Sequence, residues 1–236
     1  MFVNYAHRGA SEYAPENTQI AFDLGLQMGA NGIETDLQET KDGHLVLFHD
    51  DRIDNKSSGT GTIRDYTLDE LRQLDFGSWK GEAYAGTKIM TFEEFAERYF
   101  HLDLTFAIEL KVMGIETKVL EVIHRYGVEN KVFVSSFLFD ALADARWADS
   151  SIRLTWLITD EINAENIAKF RSIGGTQISP CASLATAEGI ALAKQSGLSV
   201  RLWGVSDPEL MKQVCSLDTE GMTVNFPDKL TEYLNH

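Results

Sequence analysis

Beyond residue 100 the chain alternates short apolar runs with stretches of helical spacing. LTFAIELK, KVFVSS, IRLTWLI, TQISP, LSVRLWG and GMTVNF read as strands. Between them Ile115–Tyr126, Ala141–Trp147, Ala164–Phe170, Ala185–Gln195 and Pro208–Cys215 carry apolar residues at helical intervals. Pro227 opens a last short helix, where its missing N–H does no harm. Before residue 100, FVNYAH, a helix from Thr18 to Met28, and GIETDL begin the same alternation, and HLVLFHDD reads as a further strand after an Asp42-Gly43 turn. Glycines 29, 127, 174 and 197 close the helices that precede them.

About eight strand–helix units in 236 residues fit a closed (β/α)8 TIM barrel, a fold of typically ~250 residues. An open doubly wound sheet is the alternative, but it calls for a glycine-rich phosphate loop after the first strand, and HRGASEYAPEN is not one. One stretch breaks the rhythm. Arg52–Lys88 is rich in Gly, Ser, Thr and Asp, with one helix at Thr67–Leu74 capped by Thr67 and Glu70. It reads as a small insertion, residues 52–88, in an N-terminal βα loop of a single 1–236 domain.

Charge narrows the function. With a net charge of −15 the chain lacks the basic footprint of a nucleic-acid binder, and it is ill suited to stable association with anionic membranes. An anionic substrate would have to be held locally. No apolar run is long enough to span a bilayer, and MFVNYAHRGA has no signal-peptide pattern, so a cytoplasmic location is expected. Cys181 and Cys215 make no paired motif and read as free thiols.

The chemistry lies where apolar strands end in ionisable groups. Strand side chains alternate faces, so Glu34 and Asp36 point the same way, as do Glu109 and Lys111. Three carboxylates converging at a barrel mouth repel one another unless a cation sits among them. Hard oxygen donors of this kind suit Mg²⁺ or Ca²⁺ and not structural zinc. One divalent ion held by Glu34, Asp36 and Glu109 would keep open positions for a substrate oxygen. His7 and His49 are then candidates for general base and acid, and Arg8 and Lys111 for contacts to an anionic, phosphate-like group. A single Glu-x-Asp is more often a solvated pair, and His44, His101, His124 and His236 read as ordinary hydrogen-bonded histidines; the concurrence of seven groups at strand ends carries the argument.

HRGASEYAPENT, then GIETDLQETKDGHLVLFHDD, then IELK resemble the signature of the glycerophosphodiester phosphodiesterase family, in order and spacing. The likeness continues through DNKSSGTGTIRDYTLDEL, the SSF at Ser135–Phe137, WGVSDPELMKQV and GMTVNFPD, and so spans essentially the whole chain. The resemblance implies a (β/α)8 barrel with a small insertion that hydrolyses glycerophosphodiesters to sn-glycerol 3-phosphate and an alcohol. It implies His7 and His49 as the acid–base pair, Glu34, Asp36 and Glu109 as metal ligands, and Arg8 and Lys111 at the phosphate. Glu16 and Asn17 fall on the family's PENT segment, which shapes the site, and Phe48 and Trp203 are implied near the glycerol or the site wall. The chain departs from the family pattern at Ala107, Met90, Gly204, Ser206, Val224 and Asn225, none of which is expected to touch the metal or the histidines. Two other readings remain open. One is a phospholipase-D-like enzyme acting on lysophospholipids or sphingolipids, which the polar insertion disfavours. The other is a catalytically inactive binding barrel, which the intact set of ligands and histidines disfavours.

Overall fold

The structure, a computed structural model, describes residues 2–235; His236 lies outside them. In chain order the elements are β1 (Val3–His7), α1 (Gln19–Gln27), β2 (Gly32–Glu39), β3 (Leu45–Leu47), α2 (Leu68–Leu71), α3 (Phe92–Tyr99), β4 (Thr105–Leu110), α4 (Glu116–Tyr126), β5 (Val132–Ser136), α5 (Phe139–Ala148), β6 (Arg153–Ile158), α6 (Ala164–Ser172), β7 (Gln177–Pro180), α7 (Ala187–Gln195), β8 (Ser199–Val205), α8 (Pro208–Val214), β9 (Gly221–Val224) and α9 (Pro227–Leu234). All strands but β3 pair in parallel, and β1 bonds to both β2 and β9. The sheet therefore closes on itself, and the expected (β/α)8 barrel is the fold. No helix is long and apolar enough to cross a membrane among the described residues.

Two local expectations need correcting. HLVLFHDD is not a stave of the barrel: only Leu45–Leu47 is extended, and it runs antiparallel to the end of β2, with Leu37 opposite Leu47. The Asp42-Gly43 turn explains this, since Gly43 at φ 84° lets β2 fold back as a hairpin. His49 consequently sits in a loop, and β4 is the strand beside β2. The insertion helix is also shorter than expected. Thr67 and Glu70 form the capping box, but after Leu71 the Gln73 and Leu74 N–H groups bond three residues back and the helix tightens to an end. The two cysteines are free.

The main core lies between the staves and the helices, where Ile33, Leu37, Phe106, Ile108, Phe95 and Phe170 are buried. A smaller cluster of Val46, Phe48, Ile53, Ile63, Leu71 and Phe76 anchors the segment between β3 and α3. The lumen of the barrel, in contrast, holds buried polar groups: Thr155, Gln177, Ser135, Ser179, Arg201 and Thr223. Arg201 and Thr223 line the cavity at the barrel mouth.

Candidate active site

Register alone brings the acidic groups level. His7 pairs with Glu34 across β1–β2, and Asp36 pairs with Glu109 across β2–β4. Because β2 alternates, Ile33 and Leu37 pack outward in the apolar core while Glu34 and Asp36 face the lumen. Oxygens of Glu34, Asp36 and Glu109 lie within 4.8 Å of one another, and all three side chains are buried.

The turn after β1 is built around that cluster. Arg8 and Asn17 adopt left-handed backbone, φ 57° and 56°, a conformation that costs a non-glycine residue about 1–2 kcal/mol. Hydrogen bonds compensate: Arg8 N–H donates to the Glu34 carbonyl at 2.9 Å and to Glu34 Oε2 at 3.1 Å, and Asn17 N–H donates to the Arg8 carbonyl. Asn17 Nδ2 then donates to Asp36 Oδ2 at 2.9 Å, and Thr35 donates to Asn17 Oδ1. Gly9, at φ 84°, lets this turn lie against α1, since a Cβ there would meet the Ala21 carbonyl carbon at 2.3 Å.

Charges are arranged in matched pairs. Arg8 contacts Glu16 at 2.9 Å and Asp36 at 3.2 Å, and Lys111 contacts Glu109 at 2.9 Å. Burial, then repulsion from Asp36 and Glu109, raises the Glu34 carboxyl well above its ordinary range. Burial, then Asp36, pushes Glu109 up to about 7. For Asp36 burial acts in the same direction, but Arg8, His49 and Lys111 outweigh it and hold the carboxyl low. The donors are all carboxylate oxygens, and Asp36 Oδ1 is buried without a hydrogen-bond partner. That set fits a hard divalent cation, which would relieve the repulsion and meet the orphaned oxygen.

The histidines flank the carboxylates with different partners. His7 Nδ1 lies 2.5 Å from Asn225 Oδ1, and its Nε2 is 3.9 Å from Glu34 Oε2. Asn225, a departure from the family pattern, therefore does touch a histidine, contrary to expectation, because β9 closes the barrel beside β1. Burial and then Arg8 hold His7 well below the ordinary histidine range. His49 Nδ1 lies 2.7 Å from Asp50 Oδ1, and Lys56 ties Asp50 to Glu16.

His7, Arg8, Glu34, His49 and Glu109 share one cavity of about 330 Å³ with Phe137, Trp203 and Arg201. Trp203 forms its wall, edge-on to Phe137 at 4.9 Å, with its indole N–H donating to the Ile158 carbonyl. Asp36, Lys111, Glu16 and Asn17 stand behind these groups as contacts of the cluster. Phe48 is elsewhere: its ring packs on Phe76 in the core of the insertion, because the chain turns away from the barrel after β3. His124 is a surface partner of Asp149 at 2.9 Å. Sequence reasoning missed Arg201 and Thr223. The signal was present in LSVRLWG, where Arg201 stands two residues before Trp203 on the same strand face.

Residues 7–229 match the model of the glycerophosphoryl diester phosphodiesterase family. YhdW of Bacillus subtilis is 35% identical over 236 residues, covering 94% of each chain. A glycerophosphodiester phosphodiesterase of Caldanaerobacter subterraneus subsp. tengcongensis is 33% identical over 230 residues, covering 95% of this chain and 94% of its own. Among solved structures, an Oleispira antarctica phosphodiesterase in complex with the product sn-glycerol-3-phosphate superposes with a TM-score of 0.91 at 27% identity, over 98% of this chain and 96% of that one.

Proposed function

The chain belongs to the glycerophosphoryl diester phosphodiesterase family, and from that premise we propose that it hydrolyses glycerophosphodiesters to sn-glycerol 3-phosphate and an alcohol with one divalent cation, Mg²⁺ or Ca²⁺. The observation that carries this reading is the convergence of His7, His49, Glu34 and Glu109 on one cavity, with Asp36 completing the carboxylate cluster.

Glu34, Asp36 and Glu109 would hold the cation, which when bound supplies Lewis-acid polarisation of a phosphoryl oxygen. Arg8 lines the cavity and Lys111 stands beside Glu109, and in this reading both would meet the non-bridging oxygens of the phosphate. The partners of the two histidines divide their roles. Asn225 Oδ1 also accepts from the Ser11 hydroxyl, so the His7 proton belongs on Nδ1 and the lone pair on Nε2. That makes His7 the base. Asp50 holds the His49 ring and faces its charge when the ring is protonated, which suits the acid that protonates the leaving alkoxide.

The test is direct. Purified protein given glycerophosphocholine and glycerophosphoethanolamine should release sn-glycerol 3-phosphate, and EDTA should stop the release until Mg²⁺ or Ca²⁺ is restored. Lack of turnover on every glycerophosphodiester in the presence of either cation would refute the assignment.

A further inference from the structure

Arg201 is an unusual group to find inside a barrel. It is 1% exposed, yet among the described residues no carboxylate oxygen lies within the 4.0 Å ion-pair limit of its guanidinium. Nη1 donates to Thr223 Oγ1 at 3.0 Å, the guanidinium lies 5.1 Å from the centre of the Tyr5 ring, and Nε has no hydrogen-bond partner. An isolated buried cation costs several kcal/mol unless something compensates it. Tyr5 and Thr223 offer only a ring face and a neutral oxygen. The other two cations of the cluster are already engaged, Arg8 with Glu16 and Asp36 and Lys111 with Glu109. Of the two arginines lining the cavity, both with Nε lacking a hydrogen-bond partner, Arg201 is the one with no carboxylate at ion-pair distance among the described residues, although its charge is felt at Glu34.

We propose that Arg201 is an oxyanion-binding residue of the cavity, propped by Thr223 and Tyr5 to meet an anionic oxygen group of the ligand. The inference rests on the phosphodiesterase reading for the ligand's identity. Two oxyanions have the required chemistry: the phosphate itself, or a carboxylate on the three-carbon end of the molecule. The planar fork of arginine suits either one. Its position on β8, two residues before the wall residue Trp203, makes it a determinant of which three-carbon esters the cavity accepts.

Calorimetric titration of the full chain with sn-glycerol 3-phosphate and with 3-phosphoglycerate, in magnesium buffer, tests this. Arg201→Gln should weaken binding by about tenfold or more, the scale of a hydrogen bond to a charged group, and Arg201→Lys should restore part of it. An equal loss for both ligands places the contact at the phosphate. A larger loss for 3-phosphoglycerate, with tighter binding of that ligand to the unmodified protein, places it at the carboxylate. Affinities unchanged within twofold for both ligands overturn the proposal. Should Arg201→Gln fail to fold, a crystal of the unmodified protein with either ligand decides: no ligand oxygen within hydrogen-bond distance of Arg201 overturns it equally. Turnover of diesters with Arg201-independent binding removes this site and leaves the reaction. Arg201-dependent binding without turnover removes the reaction and leaves the site.

Discussion

His7 and Asn225 meet across the seam where β1 and β9 close the barrel, with Nδ1 and Oδ1 2.5 Å apart. A neutral amide here fixes the ring and its tautomer without adding charge. Asn225→Asp would place a carboxylate in hydrogen-bond contact with the imidazole and favour its protonated form by about 1–3 pKa units. If His7 is the base, it must be unprotonated to act, so the acid limb of kcat/KM should move to higher pH in this variant. Activity near pH 8.5 should be largely kept. A pH profile that does not move would remove His7 from the proton-transfer role.

The carboxylate cluster makes stability depend on pH and on the cation together. Glu109 rises to about 7 in the folded chain from an ordinary 4.5, and Glu34 shifts in the same direction. At these two carboxyls the folded protein binds more protons than the unfolded one in this window, so their contribution to metal-free stability should fall as pH rises from about 4.5 to 7. His7, held low by burial, opposes them up to its ordinary value of 6.5. A cation replaces those protons, so Mg²⁺ or Ca²⁺ should raise Tm more at pH 8 than at pH 5. Asp36→Asn should fold but lose both the Tm increment and the activity. Thermal melts with and without EDTA at the two pH values provide the measurement.

Much of this site was legible because β-strands alternate. Glu34 with Asp36, and Glu109 with Lys111, could be assigned to shared faces from spacing alone. Closing the barrel then required only the β1–β2 and β2–β4 registers to bring them together. What spacing could not show was anything fixed by chain reversal. Four apolar residues in a row before His49, Leu45 to Phe48, look the same in a stave and in a hairpin, so the antiparallel turn of β3, the loop position of His49 and the burial of Phe48 against the insertion emerge only from tertiary pairing. Arg201 was half legible: its spacing from Trp203 gave the strand face it shares, not its surroundings. A lone arginine in an apolar strand carries no partner in sequence, and its partners, Thr223 and Tyr5, lie on β9 and β1.

The histidines should separate cleanly from the metal. His7→Ala and His49→Ala should each lower kcat by about 10²–10⁴, the range for a positioned acid or base, with cation affinity little changed. Asp50→Asn should give a smaller loss through His49, whose ring it holds at 2.7 Å. His124→Ala, on the surface beside Asp149, should be near neutral. Steady-state kinetics with parallel calorimetry of Mg²⁺ binding would check each, and loss of cation binding in His7→Ala would reassign that residue as a ligand.

The salt dependence of binding follows from where the cations are. The chain is net acidic by 15 charges, so long-range attraction cannot gather an anionic diester. Capture must depend on contact with buried or half-buried groups, Arg8 and Lys111 at the carboxylates among them, where mobile ions screen poorly. KM for glycerophosphocholine should therefore change by less than about threefold between 20 and 150 mM salt, a range over which surface steering weakens markedly. Lys111→Met keeps the length of the side chain but removes the partner of Glu109, and should cut kcat/KM by at least about tenfold. Arg8→Lys should do more harm than its retained charge suggests, because a single ammonium cannot span Glu16 and Asp36 as the guanidinium does. Running the same series on micellar lysophospholipid separates the two diester classes. A preference for the lipid, with KM rising steeply in salt, would place substrate capture on the protein surface instead of in the barrel.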